Sequence, residues 1–241
     1  IAMKEEIPGA KLILTLMKAN KTQGADLKAM ASDKISLADE SGKKITWTAG
    51  TEPMVLKGLP DGDYVLEESV APDGYTITGK MKFTIIDGEI MGAASVAPRP
   101  EDGRIDSENN RVIVIDKLSE VPISKVNVAG KEIPGAKLTL TIAESKDLSR
   151  IKSDTNLTID KNSVSWISEE KPTIIKGLPD GTYTLEETQA PDGYEVTESV
   201  TFTIENGVPS PENIVMVDEY TKVTVSKTDV AGREVPGAHI T

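Results

Sequence analysis

The 241-residue chain contains no cysteine. Disulfides and thiolate metal sites are therefore excluded. If the protein works outside the cell, its small domains lack their usual covalent staple. Aromatic residues make up only 4% of the chain, so each core must rely on Val, Ile and Leu. The single histidine, His239, falls where a strand begins, and no His/Cys cluster exists. A metal or histidine-based catalytic role is disfavoured. Positive charge is in deficit: the net charge is −12. That argues against a basic surface for nucleic acid or anionic membrane. No run is long or apolar enough to span a membrane. No signal peptide or cell-wall sorting segment is visible, so the chain is expected to be a piece of something longer. The acidic stretch PEDGRIDSE (100–108) does not have EF-hand spacing and is read as a solvated loop. No cofactor and no metal are expected.

What is present is a repeat. Residues 57–62 read KGLPDG and are followed by Tyr64, Leu66, Glu68 and an APDGY that ends at Tyr75. Residues 176–181 read KGLPDG again and are followed by Tyr183, Leu185, Glu187 and an APDGY that ends at Tyr194. The two copies lie 119 residues apart, as do Trp47 and Trp166, and Phe83 and Phe202. A second landmark occurs three times: IPGAKL from Ile7, IPGAKL from Ile133 and VPGAHI from Val235. The layout is one domain lacking its first strand (1–118), one complete domain (119–220) and the opening strands of a third (221–241). The joints fall near Leu118–Ser119 and Tyr220–Thr221.

Short β-branched runs, such as VIVID (112–116) and KVTVS (222–226), are bounded by Gly, Pro, Asp and Asn and read as strands. Lys21–Ala31 has room for a turn of helix, but no apolar stripe supports more. Several short strands in a repeat of about 100 residues predict an all-β chain of tandem β-sandwich domains. The first repeat is longer between Thr84 and Val112, where it contains APRPEDG. This segment is read as a surface loop, with a ligand-binding loop as the other reading.

Side chains alternate between the two faces of a strand. In YTLEE, Glu187 shares a face with Tyr183 and Leu185. In IVMVD, Asp218 shares a face with Ile214 and Met216. In PISK, Lys125 shares a face with Ile123. One repeat thus places a lysine, a glutamate and an aspartate on core-facing positions. Buried charges pair or neutralise. One reading is a buried ion pair with a protonated neighbour, or a parity error at a strand end. The other is a self-made cross-link. A buried lysine tends to lose its proton and become nucleophilic, and a buried glutamate tends to keep its proton. The glutamate would polarise the aspartate carbonyl and shuttle protons. Loss of water would leave an amide between lysine and aspartate, favoured by confinement in the core.

SKVNVAGKEIPGAKLTL (124–140), YTLEETQAPDGY (183–194) and NIVMVDEY (213–220) resemble the CnaB (SpaA-like, prealbumin-like) domains of Gram-positive pilins and surface adhesins. The resemblance covers nearly the whole chain. It implies an inverse immunoglobulin-like, prealbumin-like sandwich holding an intramolecular Lys–Asp or Lys–Asn isopeptide bond promoted by a glutamate. Carried onto this sequence, the bond joins Lys125 to Asp218 with Glu187 as promoter. Asn213 has the opposite parity and is set aside. The first domain holds Glu68 and Asp116 without the lysine. Lys4 aligns instead with Lys131, in the turn between the first two strands. The third fragment holds Lys227 without its carboxylates.

The leading expectation for function is a structural stalk or shaft segment of a Gram-positive surface adhesin or pilin, extracellular and stiffened by autocatalytic isopeptide bonds. It would be no enzyme toward outside substrates. The alternative is an adhesive module that binds a host matrix protein or glycan through the extra segment of the first domain. Expected partners are neighbouring repeats of the same protein and a host extracellular-matrix protein. Head-to-tail self-association through residues 222–241 would bring Lys227 to Asp116 and Glu68 of a neighbour.

Overall fold

The computed structural model describes residues 6–91 and 103–237; Lys4, His239 and most of the longer segment of the first repeat lie outside them. The first repeat contains β1 (Lys11–Ala19), β2 (Ser36–Leu37), β3 (Lys44–Thr48), β4 (Gly62–Val70), β5 (Tyr75–Thr76), β6 (Met81–Ile86), β7 (Glu89–Met91), β8 (Gly103–Asp106), β9 (Arg111–Val114) and β10 (Lys117–Leu118). Its main sheet has the order β2-β3-β1-β4-β6-β7, while β8 and β9 form a hairpin. The second repeat contains β11 (Glu120–Asn127), β12 (Lys137–Ile142), β13 (Lys152–Ser153), β14 (Thr158–Ile159), β15 (Ser163–Ile167), β16 (Thr173–Lys176), β17 (Gly181–Gln189), β18 (Val200–Glu205), β19 (Val208–Ser210) and β20 (Ile214–Asp218). The same six-stranded sheet recurs as β14-β15-β12-β17-β18-β19. A second sheet, β13-β16-β11-β20, accompanies it. There β11 pairs antiparallel with β16 and parallel with β20, so the first and last strands of the repeat are neighbours.

Alternation explains the cores. Val121 and Ile123 of β11, Ile175 of β16 and Ile214 and Met216 of β20 meet Leu138, Leu140, Leu185 and Phe202 of the other sheet in one buried cluster. Each repeat anchors its KGLPDG turn with an aromatic. Tyr183 stacks on Phe202 with centroids 5.4 Å apart, and its hydroxyl donates to Pro179 O at 2.7 Å. Tyr64 stacks on Phe83 at 5.4 Å and donates to Pro60 O at 2.6 Å. The hydroxyl thus meets its hydrogen-bonding need inside an apolar layer.

The joint between repeats is a short set of backbone bonds. Ser119 N donates to Gly74 O and Gly177 N donates to Ser119 O, both at 2.9 Å. Gly74 has φ +83°, and a Cβ there would lie 2.8 Å from Gly177 O, so the close approach requires glycine. Ala71 N donates to Asn206 Oδ1 at 3.1 Å, and Lys146 pairs with Asp73 at 2.8 Å.

The turn of helix expected within 21–31 is present as a single 3₁₀ turn, Lys28–Met30. Two expectations meet a different structure. The run 112–116 forms strand only as far as Val114, leaving Asp116 beyond it. Residues 222–226 form no ladder, and Val223 and Val225 stand in solvent, because no strand edge is beside them among the described residues. The first repeat also lacks a counterpart of the four-stranded sheet among its described residues. Residues 53–57, which correspond to β16, carry no ladder. Met54, Leu56 and Leu59 are only partly buried, whereas their counterparts Thr173, Ile175 and Leu178 are fully buried.

Candidate functional site

Strand β11 carries Val121, Ile123 and Lys125 on its inner face, with Lys125 only 2% exposed. Strand β17 brings Glu187 from the opposite sheet, 6% exposed, below Tyr183 and Leu185. Strand β20 ends on Asp218, 0% exposed, after Ile214 and Met216. The three charged side chains meet. The Lys125 ammonium nitrogen is hydrogen-bonded to Asp218 Oδ1 and lies 3.0 Å from Glu187 Oε1. In the parallel register Lys125 sits opposite Met216 and Asn127 opposite Asp218, so the lysine stem leans along the sheet to reach the aspartate.

The cluster is held from behind. Glu187 Oε2 accepts a 2.9 Å bond from Thr197 N, which fixes the carboxylate with its other oxygen toward the amine. Lys125 N donates to Glu132 Oε2 at 3.1 Å, and Lys125 O accepts from Ile133 N at 2.9 Å. Burial pushes the Asp218 carboxyl above the usual aspartate range, against the opposing pull of the Lys125 hydrogen bond. Asp218 Oδ2 is buried without a hydrogen-bond partner. An amine in contact with one carboxyl, a second carboxyl beside both, and no room for bulk water form an arrangement in which amide formation is a short-range rearrangement.

The first repeat carries the carboxylates without the amine. Glu68 of β4 is 7% exposed; its Oε2 accepts from Thr78 N at 2.7 Å and from Thr78 Oγ1 at 3.2 Å. Its Oε1 and Asp116 Oδ1 are buried without partners. Burial pushes Glu68 up to about 7; the Thr78 backbone bond opposes this and the Asp116 charge adds to it. Burial pushes Asp116 up to about 6. Among the described residues no amine reaches either group within ion-pair distance. Lys227 lies exposed on the last segment of the chain and meets neither.

Thr78 and Thr197 hold the two glutamates and are not marked by residue type or parity. Each sits three residues after the tyrosine of APDGY, and the two share the 119-residue offset, the one signal that marks them. Among the described residues no group of His, Asp or Glu is arranged to hold a metal ion, and no helix is long and apolar enough to cross a membrane.

A family model described as SpaA, prealbumin-like fold domain, matches residues 4–96 and again residues 119–219. No match was found among curated protein sequences. Solved structures that resemble this one include a C-terminal fragment of the pilus adhesin SpaC from Lactobacillus rhamnosus GG, with 16% identity over 90% of this chain and 91% of that one, TM-score 0.38. A mutant of the shaft pilin spaA from the same organism shares 15% identity over 91% of this chain and 87% of that one, TM-score 0.29. A streptococcal ancillary pilin shares 19% over 89% of this chain and 58% of that one, TM-score 0.31.

Proposed function

Because the chain belongs to the SpaA prealbumin-like fold domain family, we propose that it is a structural shaft segment of a Gram-positive surface adhesin or pilin, stabilised by a Lys125–Asp218 isopeptide bond. The observation that carries this reading is the Lys125 amine held between Asp218 and Glu187 inside the core of the second repeat. Three buried ionisable groups are a costly way to fill a core, and apolar residues of like volume would usually serve stability as well or better. A covalent product gives the arrangement a purpose.

Lys125 first gives a proton to Glu187 and becomes the free amine. Its nitrogen attacks Asp218 Cγ and a C–N bond forms. One amine proton passes through Glu187 to the departing Asp218 oxygen, the C–O bond breaks and one water leaves. Asp218, pushed upward by burial, enters as the carboxylic acid, a better acceptor than the carboxylate. Glu187 keeps the proton it first took from Lys125 and ends as the neutral acid; it relays the other amine proton and forms no bond to either partner, so it promotes the step without being consumed. The bond ties the first strand of the repeat to the last, an extracellular staple for a chain that has no cysteine.

Intact-mass spectrometry tests this. The chain is expected one water lighter than its calculated mass, with a branched peptide containing Lys125 and Asp218. Glu187→Ala is expected to restore the full mass and lower Tm. Full mass in the unaltered chain, with Lys125 and Asp218 on separate peptides, overturns the reading.

A further inference from the structure

We propose that residues 193–197 form a positioning brace for the amide step, holding the Glu187 carboxyl in place against Asp218 across the two sheets, with Thr197 and Tyr220 as its positioning residues. This rests on the cross-link reading above and adds what sets the rate of that step.

The starting point is an asymmetry of the site. Lys125 and Asp218 stand on β11 and β20, neighbours in one ladder that runs from Ile123 opposite Ile214 to Asn127 opposite Asp218. Backbone hydrogen bonds fix their spacing. Glu187 stands on β17, in the other sheet, and among the described residues no ladder joins the two sheets of the second repeat. Its distance from the amine is set by packing and by whatever else ties β17 to β20. A relay carboxyl must stay within hydrogen-bond reach of the proton it moves, so the step depends most on this distance.

Segment 193–197 supplies the tie. Immediately after Asp218, Glu219 O accepts from Glu195 N at 2.9 Å, Tyr220 bridges to Tyr194, and Thr221 N donates to Gly193 O at 3.0 Å. Two residues beyond Glu195, Thr197 N donates to Glu187 Oε2 at 2.9 Å. Five residues thus hold the backbone beyond Asp218 on one side and the Glu187 carboxyl on the other. The Thr197 bond occupies Oε2 and leaves Oε1 as the atom 3.0 Å from the Lys125 nitrogen.

The brace is itself fastened. Tyr194 and Tyr220 stack with ring centroids 5.0 Å apart and planes 28° from parallel. Tyr194 N donates to Pro191 O at 3.1 Å and closes the turn before the segment. The Tyr220 hydroxyl accepts a long bond of 3.4 Å from Asn127 Nδ2, and Asn127 ends β11 two residues after Lys125. All three strands of the site are reached: β17 through Thr197, β20 through Glu219 and Tyr220, and β11 through Asn127.

The first repeat builds the same brace from a different sequence. β5 pairs with β10, the two residues after Asp116, with Tyr75 opposite Leu118 and Thr76 opposite Lys117. Ser119 N donates to Gly74 O at 2.9 Å, and Thr78 N donates to Glu68 Oε2 at 2.7 Å. GYTIT (74–78) and GYEVT (193–197) share only Gly, Tyr and Thr, yet each ties its glutamate to the backbone that follows its aspartate. Two independent sequences with one bonding pattern point to a task beyond closing a loop.

The test follows the rate of the step. The whole chain is made in a cell-free reaction and sampled over time by intact-mass spectrometry, the signal being loss of one water. Thr197→Pro removes the N–H and keeps the Glu187 carboxyl. It should slow the step roughly 10- to 100-fold, the effect of a misplacement on the order of 1 Å. Thr197→Ala keeps the N–H and should run at the unaltered rate. Tyr220→Ala removes the stack and should also slow the step, whereas Tyr220→Phe keeps the ring and should not. Ile204→Val, a core substitution on β18 outside the brace, controls for lost stability alone and should leave the rate unchanged. Trp166 fluorescence in a Trp47→Phe background reports whether each variant folds; where Thr197→Pro does not, the two Tyr220 variants decide. Water loss at the unaltered rate in folded Thr197→Pro and in Tyr220→Ala overturns the brace and leaves the cross-link standing. Equal slowing in Ile204→Val also overturns it, because the rate then follows stability. An unaltered chain that never loses water overturns the cross-link reading and the brace with it.

Discussion

Glu68 and Asp116 are two carboxyl groups that share a buried site, and their protonation reports on it. Their folded values, about 7 and about 6, lie above the unfolded range of roughly 4. Between these limits the folded first repeat binds more protons than the unfolded chain, so stability falls as pH rises. The contribution is fully present below about pH 4 and is lost as pH passes through 6 to 7. In a Trp166→Phe background, Trp47 fluorescence reports unfolding of the first repeat alone. Its denaturation midpoint should drop between pH 5 and pH 8. Glu68→Gln with Asp116→Asn should flatten that slope and gain on the order of 1–3 kcal/mol at pH 8, the cost of leaving buried charge unpaired. A midpoint that rises with pH would contradict the assignment. Lys125, Glu187 and Asp218 were legible in the sequence, because the period of two along a strand is backbone geometry and needs no tertiary information; Glu68 and Asp116 were legible through the repeat and the family resemblance instead, since Asp116 lies beyond the strand residues of its run. Thr78 and Thr197 were not legible in the same way: their main contribution is a backbone N–H, which every residue but proline possesses.

At the scale of elements, alternation specifies a face but not a partner. Residues 222–226 have the side-chain pattern of a strand and no ladder, since a ladder needs a neighbouring edge. The converse holds for β8, which lies in an acidic stretch read as a solvated loop. It becomes strand because Arg111–Val114 offers an edge, with Ile105 opposite Val112. The KGLPDG turns were legible from Gly, Pro and Asp alone, and the structure adds the tyrosine that secures each one. Tyr183→Phe keeps the stacked ring and loses only the bond to Pro179 O. The loss should be about 1 kcal/mol, read from urea unfolding with no change in m-value. Tyr64→Phe should cost the first repeat a similar amount. A change near zero in both would mean the hydroxyls are satisfied by water and the turns are held by packing alone.

Across the whole molecule, the position of the proposed cross-link decides how the chain carries load. When the chain is pulled from its two ends, force enters the second repeat at Ser119 and leaves at Tyr220. Lys125 lies six residues inside one end and Asp218 two residues inside the other. With the amide formed, tension passes from β11 through the side-chain bond to β20. These strands are parallel neighbours, so without the bond they would be pulled apart in shear. The segment between the linked residues, which lie 93 positions apart in sequence, is then shielded from tension. Single-molecule pulling on a chain flanked by marker domains should show an unfolding event for the first repeat and none for the second. In Glu187→Ala, where the proposed bond should not form, a further event should appear. The 93 released positions, at roughly 3.3–3.6 Å each, add about 300 Å of contour length. The bond also confines the unfolded chain, and a loop of this size corresponds to a stabilisation of about 4–5 kcal/mol in the chain-entropy account. The second repeat should therefore melt above the first, with the gap narrowing in Glu187→Ala. A step of about 300 Å for the second repeat in the unaltered chain would show that its ends are not tied, whatever the contacts between Lys125 and Asp218.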